Sequence, residues 1–165
     1  MIIDSSELER VREMHRDKKI VFAGGCFDVT HAGHVIFLEE CKKYGDILVV
    51  EVGSDARVKR NKGEGLPIFN QHMRIKMIDS LKPVDYAFFE PFLHNETHPL
   101  EIKDEILKNL KPNFYVVNED SFDVPYLETV ARKHGTKLIV LKRYCPPEFE
   151  NVSTSKIIKR FSGEK

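Results

Sequence analysis

The stretch KKIVFAGGCFDVTHAGHVIFLEECKKYGDILVVEV, residues 18–52, decides the fold. Residues 19–23 form a short apolar run that predicts a buried strand. Residues 33–44 place Val35, Leu38 and Cys41 three apart, the spacing of one helical face. Gly45 and Asp46 break that pattern, and residues 47–52 form a second apolar run. Near-continuous apolar strands separated by a helix predict a parallel sheet covered on both faces. The connection GGCFDVTHAGH, residues 24–34, holds two glycines, an aspartate and two histidines three apart. A plain strand-to-helix turn does not need a pair of imidazoles.

The rest of the chain repeats the alternation. Residues 5–16 predict an amphipathic helix with Leu8, Val11 and Met14 on one face, capped by Ser5 or Ser6. Residues 53–67 read as a polar, basic loop. Helices are expected over 69–81, 100–110, 125–134 and 153–161, and strands over 84–89, 114–117 and 137–141. This is an α/β class: a Rossmann-like, doubly wound, five-stranded parallel sheet with strand order 3-2-1-4-5. Residues 1–165 read as a single domain, with residues 1–17 as a helical extension. The switch point falls between strands one and four, and ligands bind outside the carboxyl ends of strands at such points. Residues 24–34 and 118–121 both open there.

Composition narrows the function. The 165 residues carry 26 Lys plus Arg and 26 Asp plus Glu, so the net charge is near zero. This argues against a nucleic-acid partner, which favours a basic excess. No apolar run reaches transmembrane length and residues 1–19 are too charged for a signal peptide, so no membrane partner is expected. Cys26, Cys41 and Cys145 are odd in number and form no CxxC pair, which points to a reducing cytoplasm. The sequons at Asn95 and Asn151 would then be idle.

Gly24 and Gly25 allow a tight turn and a close backbone approach, though the pattern is neither GxGxxG nor a P-loop. His31 and His34 can face one side near a helix start, where each imidazole can donate to a phosphate oxygen. Alone, HxxH also fits a structural or surface pair. His94 and His98 in HNETH lack the HExxH spacing of a metalloprotease. Phe88, Phe89 and Phe92 fit core packing better than base stacking.

The segment GGCFDVTHAGHVIFLEECKKYGD closely resembles the HxGH nucleotidyltransferases of the cytidylyltransferase-like superfamily. Three further matches follow in order: SDARVKRNKG (residues 54–63), PIFNQHMRIKMIDSLKPVD (67–85) and STSKII (153–158). The opening segments are most similar to sugar-phosphate, notably heptose-phosphate, adenylyltransferases; glycerol-3-phosphate cytidylyltransferases are the next relatives. The resemblance implies transfer of a nucleoside monophosphate from a nucleoside triphosphate to a small phosphorylated acceptor, with release of pyrophosphate. ATP with a sugar phosphate is the first reading. CTP with glycerol phosphate, FAD synthesis and a non-catalytic nucleotide sensor are alternatives.

By the same resemblance, His31, His34, Lys59 and Arg74 are the catalytic candidates. Gly24, Gly25, Cys26, Phe27, Asp28, Lys62, Asn118, Asp120, Ser153, Thr154 and Ser155 are the binding candidates. A turn role for Asp28, a solvated charge run for the lysines, an ion pair for Arg74 and helix capping for residues 153–155 stay open. Magnesium is expected with the triphosphate, and no protein metal ligands are assigned. The family often dimerises, so a homodimer is expected. Residues 117–121, VNEDS, depart from the glycine-bearing loops of those relatives, and the acceptor question rests there.

Overall fold

The computed structural model describes residues 1–91, 99–149 and 153–162. Phe92, His94, Asn95, His98 and Asn151, singled out above, lie outside the described residues. Hydrophobic runs at residues 20–25 and 47–52 form the centre of a parallel sheet. Its strands are β1 Ile2–Ile3, β2 Ile20–Gly25, β3 Ile47–Val52, β4 Tyr86–Phe89, β5 Phe114–Asn118 and β6 Lys137–Leu141. The order is β1-β4-β3-β2-β5-β6, and every neighbouring pair is parallel. The expected sheet of five strands is therefore corrected to six. The five expected segments occupy β4-β3-β2-β5-β6, and residues 2–3 add an edge strand that pairs with Ala87 and Phe88. A two-residue strand carries no readable periodicity.

Residues 1–17 are thus not simply helical. Asp4, not Ser5 or Ser6, caps the turn at Ser5–Glu7 that leads into α1 Leu8–Met14. Its carboxylate accepts from the Ser6 amide at 2.9 Å, and Glu7 accepts from the Asp4 amide at 3.0 Å, a reciprocal capping box. The remaining helices are α2 Ala32–Lys42, α3 Asp55–Lys62, α4 Gln71–Asp79, α5 Pro99–Leu110, α6 Val124–Lys133 and α7 Thr154–Ser162. α3 corrects the expectation of a plain loop over residues 53–67. The segment is too polar to show an apolar stripe, and Ser54 caps it by accepting from the Arg57 amide.

Alternate residues of each central strand serve opposite faces. Phe22, Val49, Phe88 and Tyr115 pack with Leu8, Val11, Ile106, Leu110 and Leu127 on the face of α1, α5 and α6. Val21, Val50, Ala87 and Val116 pack with Leu38, Cys41, Ile75 and Ile78 on the face of α2 and α4. β2 therefore sits between two cores, and its carboxyl end emerges where the sheet changes direction. The loops after β2, β3, β5 and β6 meet at that edge.

The turn from α2 into β3 is set by a close backbone approach. A Cβ on Gly45 would stand 2.7 Å from the Lys19 carbonyl oxygen and 2.9 Å from Val21 Cγ2. Gly45→Ala must displace either its own turn or the start of β2. Urea unfolding is expected to show a loss of about 1–3 kcal/mol, the usual cost of overpacking.

Candidate active site

The loop from β2 to α2 leaves the strand in an unusual conformation. Phe27 has φ 50° and Val29 has φ 46°, both in the left-handed region. For a β-branched residue this is a marked outlier. Two side chains hold it. The buried Asp28 carboxylate accepts from the amides of Ile68 at 2.8 Å, Phe69 at 3.0 Å and Val29 at 3.1 Å. Arg74, 0% exposed, donates to the carbonyl of Cys26 at 2.5 Å, the carbonyl of Phe69 at 2.9 Å and Asp55 at 2.8 Å.

These partners account for both side chains. Arg74 does not line the cavity; its guanidinium lies beneath the loop with three acceptors around it. Asp28 reaches the cavity wall, and both its oxygens accept from backbone amides, which fixes the loop.

The loop delivers His31 as the N-cap of α2. Its Nδ1 accepts from the Gly33 amide at 3.1 Å, and His34 Nδ1 accepts from the His31 amide at 3.4 Å. Both imidazoles therefore carry their proton on Nε2. The rings stack at a centroid distance of 4.0 Å, and Phe27 supports His34 edge-on at 5.4 Å. Phe27 is buried below the loop, beneath Gly25, where a Cβ would come within 3.1 Å of its ring.

A cavity of about 370 Å³ opens above the histidines. Of the expected residues, Gly24, Gly25, Cys26, Phe27, Asp28, His31, His34, Lys62, Asn118, Ser153, Thr154 and Ser155 line it. The N-termini of α2 and α7 both reach it, bringing the positive dipole end toward an anion. Thr154 Oγ1 donates to the Asp28 carbonyl at 2.8 Å, and Ser153 accepts from the Lys156 amide at 3.3 Å. The Ser155 hydroxyl has no hydrogen-bond partner among the described residues.

Lys59 and Asp120 are not brought in. Lys59 sits on α3, 56% exposed, paired with Glu64 at 3.0 Å. Lys62, one helical turn later, takes the place beside the cavity, which answers which of the two faces it. Asp120 is held by Arg143 at 2.5 Å. Lys142, Arg143 and Tyr144, which follow β6, line the cavity and were missed. The signal was positional: LKRYC also stands at the carboxyl end of a strand.

A second cavity, of about 520 Å³, lies on the other side of the β2 end. It shares Gly24, Gly25, Cys26, Val117 and Ser121 with the first. Its own lining includes Glu51, Arg57, Lys103 and Tyr115, none of them expected from the sequence.

Electrostatics keep the histidines neutral. Burial, then the nearby His31, Lys62 and Arg143, push His34 down to about 3, and burial with Arg143 also lowers His31. The pair thus offers neutral Nε2–H donors at neutral pH.

The sequence profile described as Cytidylyltransferase-like matches residues 22–160. The Bifunctional protein HldE of Campylobacter jejuni (strain RM1221) is 38% identical over 149 residues, covering 90% of this chain and 29% of that protein. The Bifunctional protein HldE of a Nitratiruptor species is 41% identical over 157 residues, covering 87% of this chain and 32% of that protein. The chain therefore spans about a third or less of the length of these relatives. Among solved structures, the lipopolysaccharide core biosynthesis protein from Thermoplasma volcanium GSS1 is 30% identical with a TM-score of 0.61, covering 77% of this chain and 97% of that one. The pantoate-beta-alanine ligase from Francisella tularensis shares the fold, with 19% identity and a TM-score of 0.66, covering 98% of this chain and 77% of that one.

Two outcomes test the site's construction. Arg74→Met leaves the Cys26 and Phe69 carbonyls without their donor, so chemical denaturation should show a loss of about 2 kcal/mol or more. The depressed His34 contributes stability that is full above the unfolded value of 6.5 and is lost as pH falls from there toward 3. The unfolded chain takes up a proton in that window and the native chain does not. Stability measured across it should fall less steeply in His34→Gln than in the parent.

Proposed function

Since the chain belongs to the Cytidylyltransferase-like family, we propose that it is a nucleotidyltransferase joining ATP and a sugar phosphate. One observation carries the reading. His31 and His34 are held as neutral Nε2–H donors beside Lys62 and Arg143, at a cavity walled by two helix N-termini. That arrangement suits a triphosphate. A phosphate oxygen of the acceptor attacks the α-phosphorus; a new P–O bond forms, the α–β P–O bond breaks and pyrophosphate leaves. The attacking oxygen is already anionic, so no general base is needed. Positioning and stabilisation of crowded negative oxygens do the catalysis.

The choice of ATP and a sugar phosphate draws on the HAGH and SDARVKRNKG segments and on the bifunctional relatives. The 30%-identical lipopolysaccharide core biosynthesis protein supports a saccharide acceptor. Magnesium would neutralise the triphosphate. Among the described residues no cluster of three or more His, Cys, Asp or Glu could hold a metal. The metal would arrive on phosphate oxygens, keeping most of its water.

The three cysteines are free, which agrees with a cytoplasmic setting, and among the described residues no helix is long and apolar enough to cross a membrane. A homodimer belongs to the same proposal, supported by exposed Val140 and Tyr144 at the β6 end of the sheet; light scattering of the purified chain tests it.

The central test follows pyrophosphate from ATP or CTP with magnesium and a panel of phosphorylated sugars and glycerol phosphate. Turnover with ATP and a sugar phosphate is expected. Tight nucleotide binding without pyrophosphate from any pair would point to a sensor. His31→Asn keeps an N-cap acceptor but loses the Nε2–H donor. It should lower kcat by about a hundredfold or more while leaving the melting temperature nearly unchanged.

A further inference from the structure

Beneath the shared wall of the two cavities lies a buried charge cluster that the histidine site does not use. Glu51, 1% exposed at the end of β3, is paired with Lys103 from α5. Its other oxygen accepts from Arg57 of α3 at 3.1 Å. The same Arg57 nitrogen is paired with Glu90, and Glu90 also accepts from the Ser54 amide at 2.8 Å and the Ser54 hydroxyl at 2.6 Å. Burial alone would push Glu51 up; Lys103 and Arg57 outweigh it and hold Glu51 below its ordinary value, ionised.

Both cations keep donors to spare. Arg57 Nε and Nη2 make no hydrogen bond to a described residue, and the Lys103 ammonium has Glu51 as its one hydrogen-bond partner among them. The Tyr115 hydroxyl, on a residue 3% exposed, has no hydrogen-bond partner among the described residues and lines the same cavity. Arg57 and Lys103, each paired with a carboxylate, line that cavity beside Glu51. Spare donors on two cations and a phenol hydroxyl at one cavity wall make a surface for an anion.

The place of this surface matters. Lys103 Nζ lies 3.2 Å from where a Cβ on Gly24 would stand. The ammonium therefore sits against the strip of backbone that both cavities share.

We propose that the second cavity seats the acceptor and that Lys103, Arg57 and Tyr115 grip its phosphate, so that only a phosphomonoester is oriented for attack. The proposal rests on the two-substrate reading above. Lys103 sets the requirement for a charged acceptor; Tyr115 adds a neutral donor to a phosphate or sugar oxygen. The apolar wall at Val117 and Leu127 receives the acceptor's carbon skeleton.

Calorimetric titration of the full chain tests this, with inorganic phosphate and ribose 5-phosphate as probes. Titrations are run with and without a non-hydrolysable ATP analogue filling the first cavity. Both probes should bind in the presence of the analogue, and ribose should not. Tyr115→Phe, isosteric and sparing the Glu51 pair, should weaken them about 2–10-fold, the worth of one neutral hydrogen bond. Lys103→Gln should weaken them about 10–100-fold, as for a charged donor. The analogue's own affinity should be unchanged in both variants. Lys103→Gln leaves Glu51 short of a cation and risks unfolding, so Tyr115→Phe decides alone if it does. Probe affinity unchanged in a folded variant, or no probe binding to the parent chain, overturns the assignment. Failure of the ATP analogue to bind the parent chain sinks the nucleotidyltransferase reading instead, and the probe titrations without analogue still report on the second cavity.

Discussion

The site depends on the clamp around residues 26–29. Left alone, Phe27 and Val29 would leave the left-handed region, since each pays a conformational cost of about 1–2 kcal/mol there. Asp28 binds three amides from one side and Arg74 takes two carbonyls and a carboxylate from the other. Two buried, fully engaged side chains over-determine a short strained segment. The strain has a geometric result: the chain turns sharply enough to start α2 at His31 while Phe27 folds beneath it.

That turn determines the chemistry of the imidazoles. A histidine at an N-cap normally competes poorly with serine or aspartate. Here its Nδ1 satisfies a helix amide, and the partner His34 returns the bond to His31. The two reciprocal bonds fix tautomer and ring plane together, leaving both Nε2–H groups as donors. Burial, with Arg143 near both rings and Lys62 near His34, discourages a positive charge on them. A neutral donor pair set among cations stabilises negative charge without taking up protons, which matches a reaction whose nucleophile is already an anion.

Much of this was legible in the sequence, for reasons that differ by residue. Long apolar runs at residues 20–25 and 47–52 announce central strands, because both faces are buried. The HAGH spacing places two histidines on one helix start. Residues 2–3 and α3 were hidden, the first too short for a period and the second too polar for an apolar stripe. Arg74 and Asp28 were read for their chemistry, yet each works through a partner far along the chain, Cys26 for Arg74 and the amides of Ile68 and Phe69 for Asp28. Arg143, Lys103 and Tyr115 were invisible for a related reason: only the folded sheet brings β5, β6 and α5 to the end of β2. Residues 117–121, where the sequence leaves the familiar loop, adjoin the second cavity through Val117 and Ser121, while the charged groups around it come from β3, α3 and α5.

The buried cluster of Glu51, Arg57, Glu90 and Lys103 is difficult to explain by stability. Replacing such groups by well-packed hydrophobic residues is often neutral or stabilising, because desolvation offsets the Coulomb gain. The sheet around the cluster is otherwise apolar: Val49, Val50, Val52 and Phe88 surround Glu51 on its own and neighbouring strands. Gly24 adds a second sign, since any side chain there would collide with the Glu51 carboxylate. A strand position stripped to glycine beside a charge held in an apolar sheet costs backbone entropy and solvation together. Both costs are incurred at the one place where the two cavities touch. A phosphate arriving there would meet cations already desolvated and held in place, so little reorganisation would accompany its binding.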